Sequence, residues 1–212
     1  MVKKAKKTTK KPRKQARKKP AGNLRRKIIS AMLDLSARHG WRSVTMKAIA
    51  EEASCSGTEL QALFPTKQAI LNAFLDDVDK NVQAGTKPHE FTESPQESPR
   101  DRLFDVLMRR FDILQPHKKA IANIVHDMPS DPLACVCGIP RFGKSMAVML
   151  EAAHLSSPGC TGILKTKGLA LVYLNTARTW LRDDTPDMSK TMATLDKSLR
   201  RADSVAAAIF KR

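Results

Sequence analysis

Residues 24–67 contain the pattern that most restricts the fold of this chain of 212 residues. Apolar residues recur at helical spacing in the first stretch, at Leu24, Ile28, Met32 and Leu35. Gly40 follows them as a helix stop. Thr45 and Ser56 each come just before a short apolar stretch, which is the position of an N-cap residue. The pattern therefore predicts a long helix and then two short helices joined by a tight turn.

Two short helices with a turn of about four residues match the helix-turn-helix unit, whose second helix enters the DNA major groove. The segment contains, in this order, Gly40-Trp41, Val44-Thr45, Ile49-Ala50, Ala53, Ser56, Leu60, Phe64 and Lys67. In these residues and their spacing it resembles the TetR family of transcriptional regulators. Where the family usually has Gly and Val in the turn, this chain has Ser54 and Cys55. Where the family's recognition helix shows aromatic residues, it has Gln61 and Leu63.

The resemblance implies a set of DNA-binding residues. Three of them would hold phosphates at helix starts, namely Thr45, Lys47 and Lys67. The others would face the groove, namely Ser56, Thr58, Glu59, Gln61 and Leu63. An amide such as that of Gln61 reads an adenine edge, whereas Leu63 offers apolar contact only.

The formal charge of +17 is placed very unevenly. Residues 1–27 hold 14 of the 38 basic residues and no acidic one, so 24 basic and 21 acidic residues leave only +3 for the rest. An arm of this kind neutralises DNA phosphates without reading sequence. Two alternatives stay open, a solubilising extension and an arm that docks on anionic lipid.

No run of about 18 apolar residues occurs, so the sequence indicates no membrane span. The basic N-terminal tail also lacks the apolar region of a signal peptide. We therefore expect a cytoplasmic, nucleoid-associated protein. Cysteines stand at Cys55, Cys135, Cys137 and Cys160, without the paired spacing of a zinc site. We expect free thiols and no metal.

The remainder of the chain continues the helical spacing, and no window shows the alternation of a half-buried strand. The predicted fold is all-α, a helix-turn-helix unit followed by a helical bundle, with about nine helices in total. Four parts are expected: a disordered basic arm (1–22), a DNA-binding domain with a connecting helix (23–85), a linker (86–98), and an effector-binding and dimerisation domain (99–212).

The sequence from Leu164 to Asp183 predicts a helix that is apolar nearly all round in its middle, which is typical of burial on two faces. Leu169, Tyr173 and Trp180 lie on one side, and Leu171, Leu174 and Leu181 lie on another. In the family that the chain resembles, the last two helices form a four-helix dimer interface. The resemblance thus implies a homodimer through helices at about 161–184 and 187–203, which would bind a palindromic operator on double-stranded DNA.

The second half resembles alphaproteobacterial TetR-type proteins, and also the TetR-fold lipid-binding proteins of ubiquinone biosynthesis. Val172-Tyr173, Thr176, Asp183-Asp184 and Pro186-Asp187 carry this likeness. It implies a pocket for a small apolar effector. The leading interpretation is a ligand-responsive TetR-type repressor. The alternative is a lipid- or isoprenoid-binding accessory protein that does not read DNA.

Residues 138–145 fit the phosphate-loop pattern G-x-x-x-x-G-K-S letter for letter. That chemistry needs a preceding strand and a parallel sheet, which the sequence does not indicate. We interpret Gly138 and Pro140 as an interruption between two helices. Adjacent acids such as Asp183 and Asp184 are expected to lie in a helix and to be solvated. No nucleophile elbow or metal-binding His pair occurs, so we expect no enzyme, catalytic residue or cofactor.

Overall fold

The computed structural model describes residues 21–86, 98–130, 132–156 and 158–210. Within these ranges the chain forms α-helices and two short 3₁₀ turns, Gln115–His117 and Met128–Ser130, and no strand. The helices are α1 (Ala21–His39), α2 (Met46–Glu52), α3 (Gly57–Leu63), α4 (Lys67–Gly85), α5 (Pro99–Leu114), α6 (Lys118–Asp127), α7 (Pro132–Ala152), α8 (Gly159–Trp180) and α9 (Ser189–Phe210). The all-α prediction is confirmed, while most of the basic arm lies outside the described residues.

Helices α1 to α3 form the head, and local sequence signals set its boundaries. Gly40 ends α1 with a φ of +81°, in the left-handed region that glycine adopts without strain. The Thr45 hydroxyl accepts a hydrogen bond from the Ala48 amide at 3.2 Å and so caps α2. Thr66 caps α4 in the same way, since its hydroxyl accepts from the Ala69 amide at 3.1 Å.

Helix α4 belongs to both halves of the molecule. Ile70 and Phe74 are buried with the apolar residues of the head. Farther along, Val78 and Val82 are buried where α4 packs against α5 and α7. The predicted linker falls mainly on residues 87–97, which lie outside the described residues, so the domain boundaries stay a prediction.

Helices α5 to α9 form the body, whose centre is an aromatic cluster. Phe111 of α5 stacks on Tyr173 of α8 with ring centroids 5.3 Å apart and lies 5.6 Å from the ring of Trp180. The Trp180 indole donates to the side-chain oxygen of Gln115 at 2.7 Å. The buried indole N–H thereby has a hydrogen-bond partner. Without one, its burial would be costly.

The predicted interruption of α7 is wrong. A single helix runs from Pro132 to Ala152 with Pro140 inside it. An interior proline costs about 3 kcal/mol, whereas burying an apolar side chain contributes roughly 1.5–3 kcal/mol. Met146, Met149 and Leu150 of α7 are all buried, so packing outweighs the missing backbone hydrogen bond. Residues 138–145 are helical and form no loop for a phosphate.

The last two helices start and end differently from the prediction. The sequence predicted a helix through Asp183 with a solvated carboxylate, but α8 ends at Trp180 and Asp183 is buried. The reason is tertiary: the side chains of Thr185 and Thr191 both donate to the Asp183 carboxylate, at 2.5 and 2.7 Å. None of the described helices is long and apolar enough to cross a bilayer.

Candidate nucleic-acid interface

Helix α3 presents a polar outer face on a firmly packed base. Leu60 and Phe64 are buried in the head core, which fixes the roll of the short helix. Thr58 and Gln61 are exposed, and Leu63 is 38% exposed. The helix therefore offers a hydroxyl, an amide and an apolar side chain to a partner, which are groups able to contact base edges and thymine methyls.

A complete capping box fixes the start of α3. The Glu59 amide donates to the Ser56 hydroxyl at 3.2 Å, and the Ser56 amide donates to the Glu59 carboxylate at 2.9 Å. The backbone amide and then the hydroxyl of Ser56 lower the pKa of Glu59. Thr58 lies 3.0 Å from Ser56, hydroxyl to hydroxyl. Ser56 and Glu59 thus hold the helix start through their mutual hydrogen bonds, although both side chains are exposed.

The turn between α2 and α3 works without the usual glycine. Ser54 adopts a φ of +53°, and its amide donates to the Glu51 carbonyl at 3.1 Å. The Cys55 amide donates to the Ala50 carbonyl at 3.0 Å. Burial, and then the charge of Glu59, raises the pKa of the Cys55 thiol. Ser54 therefore adopts the left-handed backbone conformation that the family's Gly usually supplies. Cys55 takes the position of the family's Val and packs as a protonated thiol.

Lys67 is tied to the corner between α1 and α2. Its ammonium donates to the carbonyl oxygens of Trp41 at 2.9 Å and Val44 at 3.3 Å. The same nitrogen lies 4.6 Å from the centre of the Trp41 ring, a cation–π distance. The sequence reasoning gave Lys67 a phosphate and missed this structural task. The carbonyl groups that Lys67 contacts are determined by how α4 packs against the corner between α1 and α2, so no sequence signal could have identified them.

Thr45 and Lys47 lie at the start of α2, as expected from the sequence. Thr45 is exposed, and its hydroxyl caps the helix while keeping a proton to donate. The Lys47 side chain is 87% exposed, with its ammonium 4.0 Å from Glu51. An exposed pair at this distance is weak, so it leaves the Lys47 charge available to a phosphate.

The body contains an apolar groove of about 610 Å³ between α7 and α8. Phe142 and Ala147 line one wall, and Ile163 and Ala170 line the other. Lys167 is the charged residue in this lining. The volume lies within the range of small-molecule sites, and the lining suits an apolar compound. No cluster of possible metal ligands occurs among the residues that the structure describes.

Comparisons with known proteins agree with this geometry. Residues 28–74 match the family model described as bacterial regulatory proteins, tetR family. A TetR transcriptional regulator from Nitrosomonas europaea is similar in structure, with a TM-score of 0.70 at 20% identity over 85% of this chain and 98% of that one. A tetR-family regulator from Streptomyces coelicolor gives 0.59 at 20% identity over 90% and 84% of the two chains.

Thermus thermophilus FadR, a TetR-family repressor solved with lauroyl-CoA, gives a TM-score of 0.52 at 14% identity over 85% of this chain and 92% of its own. No curated protein sequence matches significantly. These structural likenesses show the fold, and the family model identifies the head as the family's own. The findings support a regulator and give no support to a lipid-binding accessory protein. Residues 28–74 therefore belong to the TetR family of bacterial regulatory proteins, and the described helices have the fold of TetR-family regulators.

Proposed function

We propose that the protein is a homodimeric, ligand-responsive repressor that binds a palindromic operator on double-stranded DNA. One observation carries the dimer: α8 has a second apolar stripe that its own chain does not cover. Leu171 is 71% exposed and Leu174 is 50% exposed, whereas Leu169 and Tyr173 on the other side are buried. An apolar stripe left in water favours association with a second apolar surface.

The interface would be formed by α8 together with α9. These two helices pack against each other, and Val205 of α9 is 59% exposed. Burying a leucine side chain contributes up to about 1.5–3 kcal/mol, and a two-fold axis uses every residue twice. The sequence also points to these two helices, at about 161–184 and 187–203, as the interface. Two recognition helices related by the axis would enter successive major grooves.

On the DNA, each head would divide the work between base edges and phosphates. Gln61 would read an adenine, Leu63 would touch a thymine methyl, and Thr58 would contact a neighbouring base. Thr45 and Lys47 would hold phosphates. Lys67 would act chiefly by holding the corner that carries Thr45. Two assigned groove residues, Ser56 and Glu59, would present α3 rather than read sequence.

The arm of residues 1–22 would add salt-dependent affinity for any DNA sequence. A small apolar effector would enter the groove between α7 and α8 and change the angle between the two heads. The groove's apolar walls support this class of ligand, and the acyl chain bound to FadR is a precedent for the class. A cytoplasmic location, where operator DNA is reached, belongs to the same proposal.

Selection of bound fragments from random duplex DNA, using the full-length protein, tests the proposal. The expected product is a palindrome with two half-sites, protected together in a footprint. Gln61→Ala should relax preference at one position of each half-site by about 1–3 kcal/mol. Lys47→Met should weaken binding to all sequences alike. Recovery of single half-sites would contradict the dimer, and uniform losses in both variants would contradict base reading by Gln61.

A further inference from the structure

The head is joined to the body by a second connection besides α4, the packing of α6 against α1. Polar groups from two residues one turn apart on α6 make this connection specific. The Asn123 amide donates to the carbonyl oxygens of Ser36 at 2.9 Å and Ala37 at 3.4 Å. The Arg42 backbone amide donates to the Asp127 carboxylate at 3.0 Å. We call these hydrogen bonds the α1–α6 contact.

The contact is made at the end of a helix, where backbone groups need partners. The last four carbonyl groups of a helix find no N–H donor within the helix itself. Asn123 supplies a donor to the Ala37 carbonyl and a second donor to the Ser36 carbonyl, which also accepts from the Gly40 amide at 3.1 Å. Gly40 allows the close approach, because a Cβ at that position would lie 3.3 Å from the Asp127 carboxylate oxygen. A side chain there would also be strained by the φ of +81°.

The position of Asp127 is electrostatically unfavourable in two ways. It is the last residue of α6, and it lies beside the C-terminal end of α1. Each helix end carries a partial negative charge that disfavours a carboxylate. The hydrogen bond from Arg42 to an ionised acceptor offsets this, because such bonds are roughly twice as strong as neutral ones. Asp127 thus lies at a junction of two helix ends, where its carboxylate ties the start of the α1–α2 corner to α6.

The segment that the contact holds leads directly to the DNA-binding helices. The carbonyl oxygens of Trp41 and Val44 accept hydrogen bonds from Lys67, and Thr45 caps α2. Residues 40–45 are therefore held from the body side by α6 and from the other side by α4. Any rotation of α6 would move this corner, and α2 and α3 with it.

We infer that Asn123 and Asp127 are positioning residues that set the angle of the head on the body. In the dimer of the proposed function, on which this inference rests, that angle fixes the separation of the two recognition helices. The α1–α6 contact then determines which spacing between half-sites the protein accepts. Base preference within a half-site is left to α3.

Palindromes of the selected half-site, with the central spacer lengthened or shortened by one base pair, provide the test with the full-length protein. The wild type should prefer one spacer. The ratio of affinities between best and altered spacers should fall about tenfold in Asp127→Ala, since a hydrogen bond to a charged group is worth that much, and by roughly a few-fold in Asn123→Ala, whose hydrogen bonds go to neutral carbonyls. Base preference within each half-site should not change.

Asp127→Asn keeps an oxygen that can accept from Arg42 and should restore much of the spacer preference. This variant also serves if the alanine variants do not fold. His126→Ala, an exposed neighbour on the same turn, is the matched control and should behave like the wild type. Equal loss at every spacer, with the wild-type ratio intact, would overturn the inference while leaving the dimer standing. A wild type indifferent to spacing would instead overturn the dimeric operator, and the inference with it.

Discussion

The side chains of Asp79 and Arg110 form an ion pair in which both partners are almost fully buried, with 8% and 3% of each side chain exposed. Asp79 also accepts hydrogen bonds from Ser145 at 2.7 Å and Arg141 at 2.8 Å. One carboxylate on α4 is thereby bound to α5 and α7. The helix that leaves the head is fixed to the body at this point.

Removing Arg110 should destabilise the protein strongly. Loss of one partner of a buried pair costs about 3–5 kcal/mol where the other charge is left alone. Asp79 keeps Arg141 and Ser145, so the loss should lie at the lower end of that range. Arg110→Ala should lower the free energy of unfolding by that amount in urea denaturation at fixed protein concentration. Arg38→Ala breaks the exposed pair with Glu52 and should cost about 0–1 kcal/mol. Similar small losses in both variants would contradict the role of the buried pair.

The two lysines of the head should differ in the salt dependence of DNA binding. Lys47→Met removes an exposed charge and should reduce the slope of log affinity against log salt by about 1. Lys67→Met removes the ammonium that binds Trp41 and Val44, so it should lower the melting temperature and leave the slope nearly unchanged. Titration at several salt concentrations, beside thermal melting, measures both effects. A reduced slope in Lys67→Met at an unchanged melting temperature would show instead that Lys67 binds a DNA phosphate.

Placing a charge on the outer stripe of α8 should dissociate the dimer. Leu171→Glu would bury a carboxylate without a partner at the proposed interface, which is strongly unfavourable. Sedimentation at micromolar concentration should then show a monomer and weak binding to the full palindrome. Val125→Glu introduces the same charge at an apolar residue of α6 that is 46% exposed, and it should remain dimeric. A dimeric Leu171→Glu protein would place the interface elsewhere.

Asp183 should stabilise the protein in a pH-dependent way. Burial alone would raise the pKa of this carboxyl, but hydrogen bonds from Thr185 and Thr191 outweigh it and hold the pKa well below its usual value. A carboxylate with a lowered folded pKa stabilises above the unfolded value, about 3.9, and loses that contribution as the pH falls toward the folded value.

Asp183→Asn should therefore cost about 2 kcal/mol at neutral pH, and the difference from wild type should shrink below about pH 4. Thermal melting across this pH range measures the difference. Asp184→Asn is the adjacent control, since its side chain is 98% exposed, and it should show little effect at any pH. A difference between wild type and Asp183→Asn that is constant with pH would contradict the role given to the ionised carboxylate.

Features set by neighbouring residues in the chain were predictable from the sequence. Thr45 and Ser56 were predicted as caps, and each caps its helix, because capping needs only a side chain and an amide three residues later. The sequence predicted an interruption near Pro140 and a solvated Asp183, and both predictions were wrong. Both features depend on packing between helices that no local pattern reports.

The same limit applies to the DNA-binding face. Exposure of Gln61 follows from its place on a short helix whose opposite side is apolar. The hydrogen bonds of Lys67 to Trp41 and Val44 follow only from the meeting of α4 with the corner. The amide of Asn123 reaches Ser36 across 87 residues of chain, a separation at which sequence alone gives no signal.

Helix α4 serves two neighbours along its length, and this has a practical consequence for shortened forms of the protein. A fragment that stops at Gly85 would retain all of α1 to α3 but would bare Val78 and Val82 to water. It would also leave Asp79 without Arg110, Arg141 and Ser145. Such a fragment should self-associate and be digested quickly, so protease treatment is expected to yield no long-lived amino-terminal product.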